Sequence, residues 1–488
     1  GLRSEDLAKQ FYYRAYFNMT AIGRVWERMG MPSDSLERLT GSGAKGQGGL
    51  KFSPSPKMAA VMPYMIGFLL RHLFIADQLE SRIPSIRSGF EALGREDLTA
   101  LSEEELMDRV DRLTERLQDP IYFNVVIPLA SSLLGRRLEA RLREVGVEPS
   151  KVDFLAGAEV RRYYPNEGLK GLHRAYDRLS GATKSAVDER GLSALAGDPL
   201  GEAFRKELEA FLREFGHLSE SGNDFSSKPW REDPGLVLEL VVHYPDEVGR
   251  DGRRQLEQLE LPPKERRRVL SSARRARRMS VLKERVSSTY TYGYGLYRNY
   301  FMEVGRRLAD RKLLGNPEDV FYLSLDELRQ IVSGGCAGNT CNNYRLRAML
   351  RQREMEELRH VEVPSVIRGG KAPPLTARRS GELTGTPTSR GRHRGRARVV
   401  RGPGEISRLE KGDVLVIPYS DVSWTPLFAK AGAVVAESGG MLSHTSIVAR
   451  EYGIPAGVSV EGALGIPEGT EVIVDGDAGT VSFASLPP

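Results

Sequence analysis

The sequence predicts a multidomain chain of 488 residues in which a large, mainly α-helical domain is followed by a small α/β domain. Three observations carry that reading. Over residues 5–359 apolar side chains recur at three- and four-residue spacing, as in Leu208, Phe211 and Phe215 or Leu296, Tyr300 and Val304, the period of an amphipathic helix. Between Arg368 and Arg394 the composition turns to Gly, Pro, Thr, Ser and Arg, which reads as a linker with a first turn. Beyond it, short β-rich runs at residues 397–400, 413–418, 433–435, 471–474 and 480–483 alternate with turns and with one helical stretch after His444. The expected boundaries are therefore 1–367 for the helical domain, 368–394 for the linker and 395–488 for the α/β domain.

Within the helical region the period breaks at Gly41–Gly49, Asn223–Pro234, Tyr244–Glu247 and Leu261–Pro263, so two lobes are possible there. A chain of this length is expected to hold about two to four cores. With 40% hydrophobic and 28% charged residues it has the composition of an ordinary globular protein, and its net charge of +6 is too small and too scattered to imply nucleic acid. No n-region, apolar h-region and cleavage site open the chain. The longest apolar runs, Met58 to Leu70 and Ile121 to Leu134, are interrupted by Pro63 and by Asn124 and Pro128. Both fall short of the ~20 residues a membrane span needs, so they read as buried helices, and the expected location is the cytoplasm. Cys336 and Cys341 lie in a Gly/Asn-rich stretch whose spacing permits a small disulfide or half of a metal site, but no second Cys/His pair accompanies them, which favours two free thiols on a surface loop and no metal site.

The most informative segment is Glu437-Ser-Gly-Gly-Met-Leu-Ser-His-Thr-Ser-Ile-Val-Ala-Arg-Glu-Tyr-Gly-Ile-Pro, centred on His444. Gly439 and Gly440 precede the histidine, Ser443 stands as a helix cap, and an apolar helical pattern follows. Backbone N–H groups at a helix start point outward with about half a positive charge, which favours a phosphoryl group on the imidazole. A neutral imidazole is nucleophilic near neutral pH, so His444 suits a two-step transfer. Ser443, Thr445 and the Gly439-Gly440 backbone are candidates to hold phosphate oxygens. Arg450 is a candidate to balance charge, and Thr425, in a Trp-Thr-Pro turn, is a candidate to approach the phosphate.

This segment resembles the phosphohistidine motif of the swivelling domain in phosphoenolpyruvate-utilising enzymes. Asp421-Val-Ser-Trp-Thr-Pro-Leu-Phe, Val474-Asp-Gly-Asp-Ala-Gly-Thr-Val and Leu383-Thr-Gly-Thr-Pro-Thr-Ser-Arg-Gly resemble further blocks of that domain, in the same order. In the helical region, Tyr16-Phe-Asn-Met-Thr-Ala-Ile, the segment from Phe215 to Pro234 and Asn316-Pro-Glu-Asp-Val-Phe-Tyr-Leu are similar to the acceptor domain of rifampin phosphotransferase-like proteins. The resemblance implies a dikinase-type phosphotransferase in which His444 takes a phosphoryl group from ATP and passes it to a hydroxyl. Only fifteen residues precede Tyr16, so the ATP-grasp unit, with its ATP and Mg²⁺, is expected on a separate polypeptide or a missing domain. No pyruvate-binding barrel follows the swivelling domain, which points to a small-molecule acceptor other than pyruvate, of hydrophobic or aromatic character. The alternative is a binding or regulatory homologue that has lost ATP activation.

On the acceptor side, phosphoryl transfer needs cations against developing charge and a group that orients the attacking hydroxyl. His217 is the one site candidate there that stands on its residue type. The resemblance adds Lys283, Glu284 and Arg285, although Val286-Ser-Ser-Thr lacks the second basic residue the family pattern carries. The run Lys264 to Arg285 holds ten Lys/Arg against two Glu, distributed around a helix without interleaved aromatics, and reads as a solvated face or a docking patch for an acidic partner. Tyr290, Tyr292, Tyr294, Tyr297 and Tyr300 are candidates for an aromatic pocket or for core packing.

Overall fold

The computed structural model describes residues 8–11, 13–28, 63, 75–148, 152–153, 163–245, 254–334, 339–359, 383–440 and 443–483. Two long helices form the spine of the helical region. Glu103–Glu144 runs for 42 residues and Pro263–Asp310 for 48. The first starts at a reciprocal cap: the Ser102 hydroxyl accepts from the Glu105 N–H, and the Glu105 carboxylate accepts from the Ser102 N–H. The second begins with Pro263 in its first turn, where the missing N–H costs nothing.

Their contact follows from the spacing of apolar residues. Val269, Ala273, Ala276, Met279, Leu282 and Val286 lie on one face of Pro263–Asp310 and are buried, followed by Leu296, Tyr300, Val304 and Leu308. The basic run Lys264–Arg285 is the other face of the same helix, with Arg278 paired to Asp77 and Glu80. Tyr297 and Tyr300 are buried in the core built with Phe90, Leu113 and Phe301, while Tyr290, Tyr292 and Tyr294 pack at its edge. Core packing thus accounts for most of the tyrosine cluster. Shorter helices at Ile75–Leu93, Asn166–Asp177, Pro199–Phe215 and Pro234–Val242 complete the part that bears on the site.

Two small strand pairs interrupt the helical pattern. β1 (Ala8–Phe11) and β2 (Arg14–Phe17) form a hairpin, and β3 (Val152–Asp153) pairs in parallel with β4 (Arg254–Gln255). Strands of two to four residues leave no periodic signal, so the sequence does not reveal them. Met58–Leu70 apart from Pro63, Cys336 and the side chain of Cys341 lie outside the described residues. Among the described residues no helix is long and apolar enough to cross a membrane; Ile121–Leu134 is part of the Glu103–Glu144 helix.

The C-terminal unit is an eight-stranded sheet: β5 (Leu383–Thr384), β6 (Thr386–Ser389), β7 (Arg392–Val399), β8 (Val414–Ile417), β9 (Ala433–Ala436), β10 (Ala456–Val458), β11 (Glu471–Asp475) and β12 (Thr480–Phe483), in the spatial order β5-β12-β11-β7-β8-β9-β10-β6. The central β7, β8, β9 and β10 are parallel, and β8, β9 and β10 are buried at every position, as expected for parallel strands covered on both faces. The sheet begins at Leu383, inside the Gly/Pro-rich stretch 368–394 that composition assigns to a linker. β5, β6 and the start of β7 are strands there because they pair with β12, β10 and β11, contacts that local composition does not register.

Candidate phosphohistidine site

His444 is the first residue of the helix His444–Tyr452, which connects parallel β9 to β10. In such a crossover the helix start lies outside the carboxyl ends of the strands, where open α/β sheets bind ligands. The described residues that flank the turn into this helix, Gly439, Gly440 and Ser443, are tied down by specific contacts. Gly439 takes φ 138°, a left-handed value that favours glycine, and a Cβ there would stand 3.0 Å from the Ser443 Oγ. Ser459 donates its hydroxyl to the Gly439 carbonyl at 2.5 Å, and Ser446 donates to the Gly440 carbonyl at 2.7 Å. Ser443 caps the helix, its Oγ accepting from the Ser446 N–H at 3.4 Å. Gly453 in the left-handed region ends it.

The half-buried imidazole of His444 meets the Thr425 hydroxyl through Nε2 at 3.1 Å. Thr425 also donates to the Val422 carbonyl at 2.6 Å. A hydroxyl has one proton, so Thr425 accepts from the Nε2–H of His444, and the ring lone pair lies on Nδ1. Burial holds the His444 pKa below the ordinary imidazole value; the carboxylates of Asp421 and Glu284 pull it back up, and Lys283 adds to the depression. The ring is therefore neutral and nucleophilic at neutral pH.

Those same charges place this stretch of the long helix near His444. Lys283 and Glu284 form a 2.6 Å ion pair, with 14% and 6% of their side chains exposed, and both act on His444. The partly buried Lys283 and the buried Glu284 thus bring a cation and a carboxylate whose charges both reach the imidazole. Tyr164 bridges the two units: its ring edge faces His444 with centroids 6.0 Å apart, and its hydroxyl donates to Glu451 at 3.4 Å. Burial, together with Glu284 and Glu451, holds the Tyr164 hydroxyl well above the usual phenol range, so it remains a donor. Asp421 accepts from the Gly222 N–H at 2.7 Å, and the Trp424 indole donates to the Glu220 carbonyl at 3.0 Å, which pins the segment 220–222 beside the loop.

The structure thus gathers His444, Thr425, Ser443, Gly439 and Gly440 with Lys283 and Glu284. Arg285 lies one residue further along and donates to the Tyr163 hydroxyl at 3.0 Å. Thr445 is buried with its hydroxyl 2.7 Å from that of Ser420, and Arg450 donates to the Thr388 carbonyl at 3.1 Å; both tie the helix to the sheet. Tyr164, Ser420 and Asp421 are the site neighbours that sequence reasoning misses. Asp421 is visible only as part of a block that resembles the family, and nothing around Tyr164 marks it.

His217 belongs to a separate cluster. It is buried, its ring lies 5.3 Å from that of Tyr292, and neither ring nitrogen makes a hydrogen bond of ordinary geometry among the described residues. Burial first, then the guanidinium groups of Arg87 and Arg231, push its pKa down from 6.5 to about 3. In the folded state His217 therefore stays neutral while the unfolded chain takes up a proton below 6.5, so its contribution lowers stability as pH falls from 6.5 towards 3. His217→Phe is expected to remove one proton's worth of slope in that window, about 1.4 kcal/mol per pH unit, from a plot of urea midpoints against pH. An unchanged slope in the variant would mean that His217 is charged in the fold.

Residues 409–479 match the PEP-utilising enzyme mobile domain, and residues 172–298 match the rifampicin phosphotransferase fourth domain. Rifampicin phosphotransferase of Streptomyces sviceus is 31% identical over 429 residues, 80% of this chain and 48% of that protein. The protein of the same name from Bacillus cereus is 26% identical over 383 residues, 72% of this chain and 43% of that one. Prodigiosin synthesizing transferase PigC of Serratia marcescens is 30% identical over 310 residues, 59% of this chain and 35% of that protein. The chain thus spans about half the length, or less, of these curated relatives. With the mobile-domain match spanning the His444 loop, residues 409–479 carry the PEP-utilising enzyme mobile domain, and the chain is similar over most of its length to rifampicin phosphotransferases.

Proposed function

We propose that the chain is the relay and acceptor portion of a phosphotransferase. The observation that carries this reading is the meeting of a neutral, capped His444 with the Lys283–Glu284 pair of the helical region. ATP with Mg²⁺, bound by an ATP-grasp unit in another polypeptide or another part of the protein, supplies the phosphoryl group. The imidazole lone pair forms an N–P bond as the P–O bond of the donor breaks, and the helix start and the Gly439-Gly440 loop receive the phosphate oxygens. In the second half an acceptor hydroxyl attacks phosphorus, the N–P bond breaks, and the hydroxyl proton passes to Glu284, while Lys283 offsets charge on the transferring group. The acceptor is a small molecule with an alcoholic or phenolic hydroxyl, and the Tyr164 ring beside His444 fits an aromatic one.

The relay is tested by supplying an ATP-grasp protein and ATP labelled in both its β- and γ-phosphates, then looking for acid-labile, base-stable label on the chain. The acceptor half is tested with Glu284→Gln. We expect His444 to be labelled at the normal rate, with transfer to a panel of phenols and alcohols that includes rifampicin slowed about 100- to 1,000-fold. If labelling of His444 falls equally, Glu284 acts before the acceptor arrives and its assignment as the base is wrong.

A further inference from the structure

A second cationic cavity lies on the other half of the helical spine. It has a volume of about 490 Å³ and is walled by the end of the Ile75–Leu93 helix and the first half of Glu103–Glu144. Four arginines, Arg95, Arg109, Arg112 and Arg116, converge on it over an apolar floor that includes Leu93 and Leu113. Arg109 is already neutralised by a bidentate pair with Glu96, at 2.7 and 3.1 Å. Arg95, Arg112 and Arg116 have no ion pair among the described residues. Of the acids nearby, Glu91 pairs with Arg87, Asp111 with Arg329 and Asp119 with Arg82, while Asp108 and Glu115 share the helix with Arg112 and form no ion pair with it among the described residues. Three guanidinium groups without an ion pair therefore border one space of ligand size.

An independent observation points to a ligand there. Tyr300, on the facing helix, is 1% exposed, and its hydroxyl has no hydrogen-bond partner among the described residues. A buried donor left unmet is costly, so such groups usually find a partner. The groups that act on this hydroxyl are Glu96, Arg109 and Arg116, all of them walls of the cavity. Tyr300 is not itself a wall of the cavity but stands behind Arg109 and Arg116, so a phosphate drawn between these two guanidinium forks, whose planar geometry suits phosphate, is what would bring an oxygen towards the phenol proton.

We infer that this cavity binds a diphosphate group, either free or as the tail of a nucleotide whose body rests on Leu93 and Leu113. Three free positive charges match the charge of a diphosphate near neutral pH, and the volume leaves room for a further small group. Tyr300 lies sixteen residues from Glu284 on one helix, about 24 Å at the helical rise. The cavity is thus a site apart from the transfer centre, and it does not rest on the reading of His444.

Calorimetric titration of the full chain with inorganic pyrophosphate and, separately, with ADP tests the inference. Saturable binding of either is expected, weakened at least tenfold in the Arg112→Gln/Arg116→Gln double variant. Pyrophosphate binding as tightly as ADP identifies the free diphosphate as sufficient; a preference for ADP identifies a nucleotide. Tyr300→Phe supplies a second readout. A phenol that serves only the fold should give a variant that is more stable and binds equally well; a phenol that meets the ligand should give one that is more stable but binds several-fold more weakly. Absence of binding by both probes, or affinities unchanged in the double variant, would overturn the inference.

Discussion

His444→Ala is expected to abolish covalent labelling of the chain and to lower phosphoryl transfer at least about 1,000-fold, because it removes the only group in the relay that bonds to phosphorus. The fold should survive. His444 is the first residue of its helix, where Ser443 supplies the cap and alanine is the best helix former. The loss should therefore appear in the rate with little change in urea midpoint, which separates a chemical role from a structural one. The measurement is phosphoryl label on wild type and variant, checked for lability in acid and stability in base. Label that persists in the alanine variant would place the phosphoryl group on another residue and remove the relay.

Trp424→Ala should have the largest effect on stability. The indole is fully buried, packs in a core that continues from the helices at residues 169–241 into the sheet, and donates to the Glu220 carbonyl. Truncating a buried aromatic of this size costs about 3–5 kcal/mol through lost burial and the cavity left behind. The Glu220 carbonyl also loses its donor. Trp424→Phe keeps most of the bulk and is expected to cost less than half as much. Urea denaturation followed by circular dichroism reads both. A midpoint for Trp424→Ala within about 0.5 kcal/mol of wild type would show that the two units are not joined through this residue.

The parts of this structure that sequence reveals are those whose causes are local. The helical period of Pro263–Asp310 follows from its apolar spacing, and the His444 loop follows from its glycines and its cap, so both are visible in a single stretch of residues. Resemblance brings Lys283 and Glu284 to attention, but nothing local predicts that they meet His444. Tyr164 reaches the site only because the chain returns to it from 280 residues away. Thr445 and Arg450 show contacts that spacing from His444 does not predict, since the roll of one helix on its sheet sets the Thr445 hydroxyl against that of Ser420 and the Arg450 guanidinium against the Thr388 carbonyl. The start of the sheet is hidden for the same reason, since Leu383–Ser389 becomes strand through partners that lie far along the chain.

The core shared by the helices at 169–241 and the sheet also governs how this protein is made. The contacts Gly222–Asp421 and Glu220–Trp424 span 199 and 204 residues. At a synthesis rate of about 5–20 residues per second, the apolar face that carries Val237, Leu240 and Val241 leaves the ribosome on the order of ten to forty seconds before Trp424 and Phe428 arrive to cover it. During that interval the nascent helices present their stickiest surface to the cell. Holdase chaperones are expected to associate with chains arrested between residues 250 and 400, and to leave once the last strands have emerged.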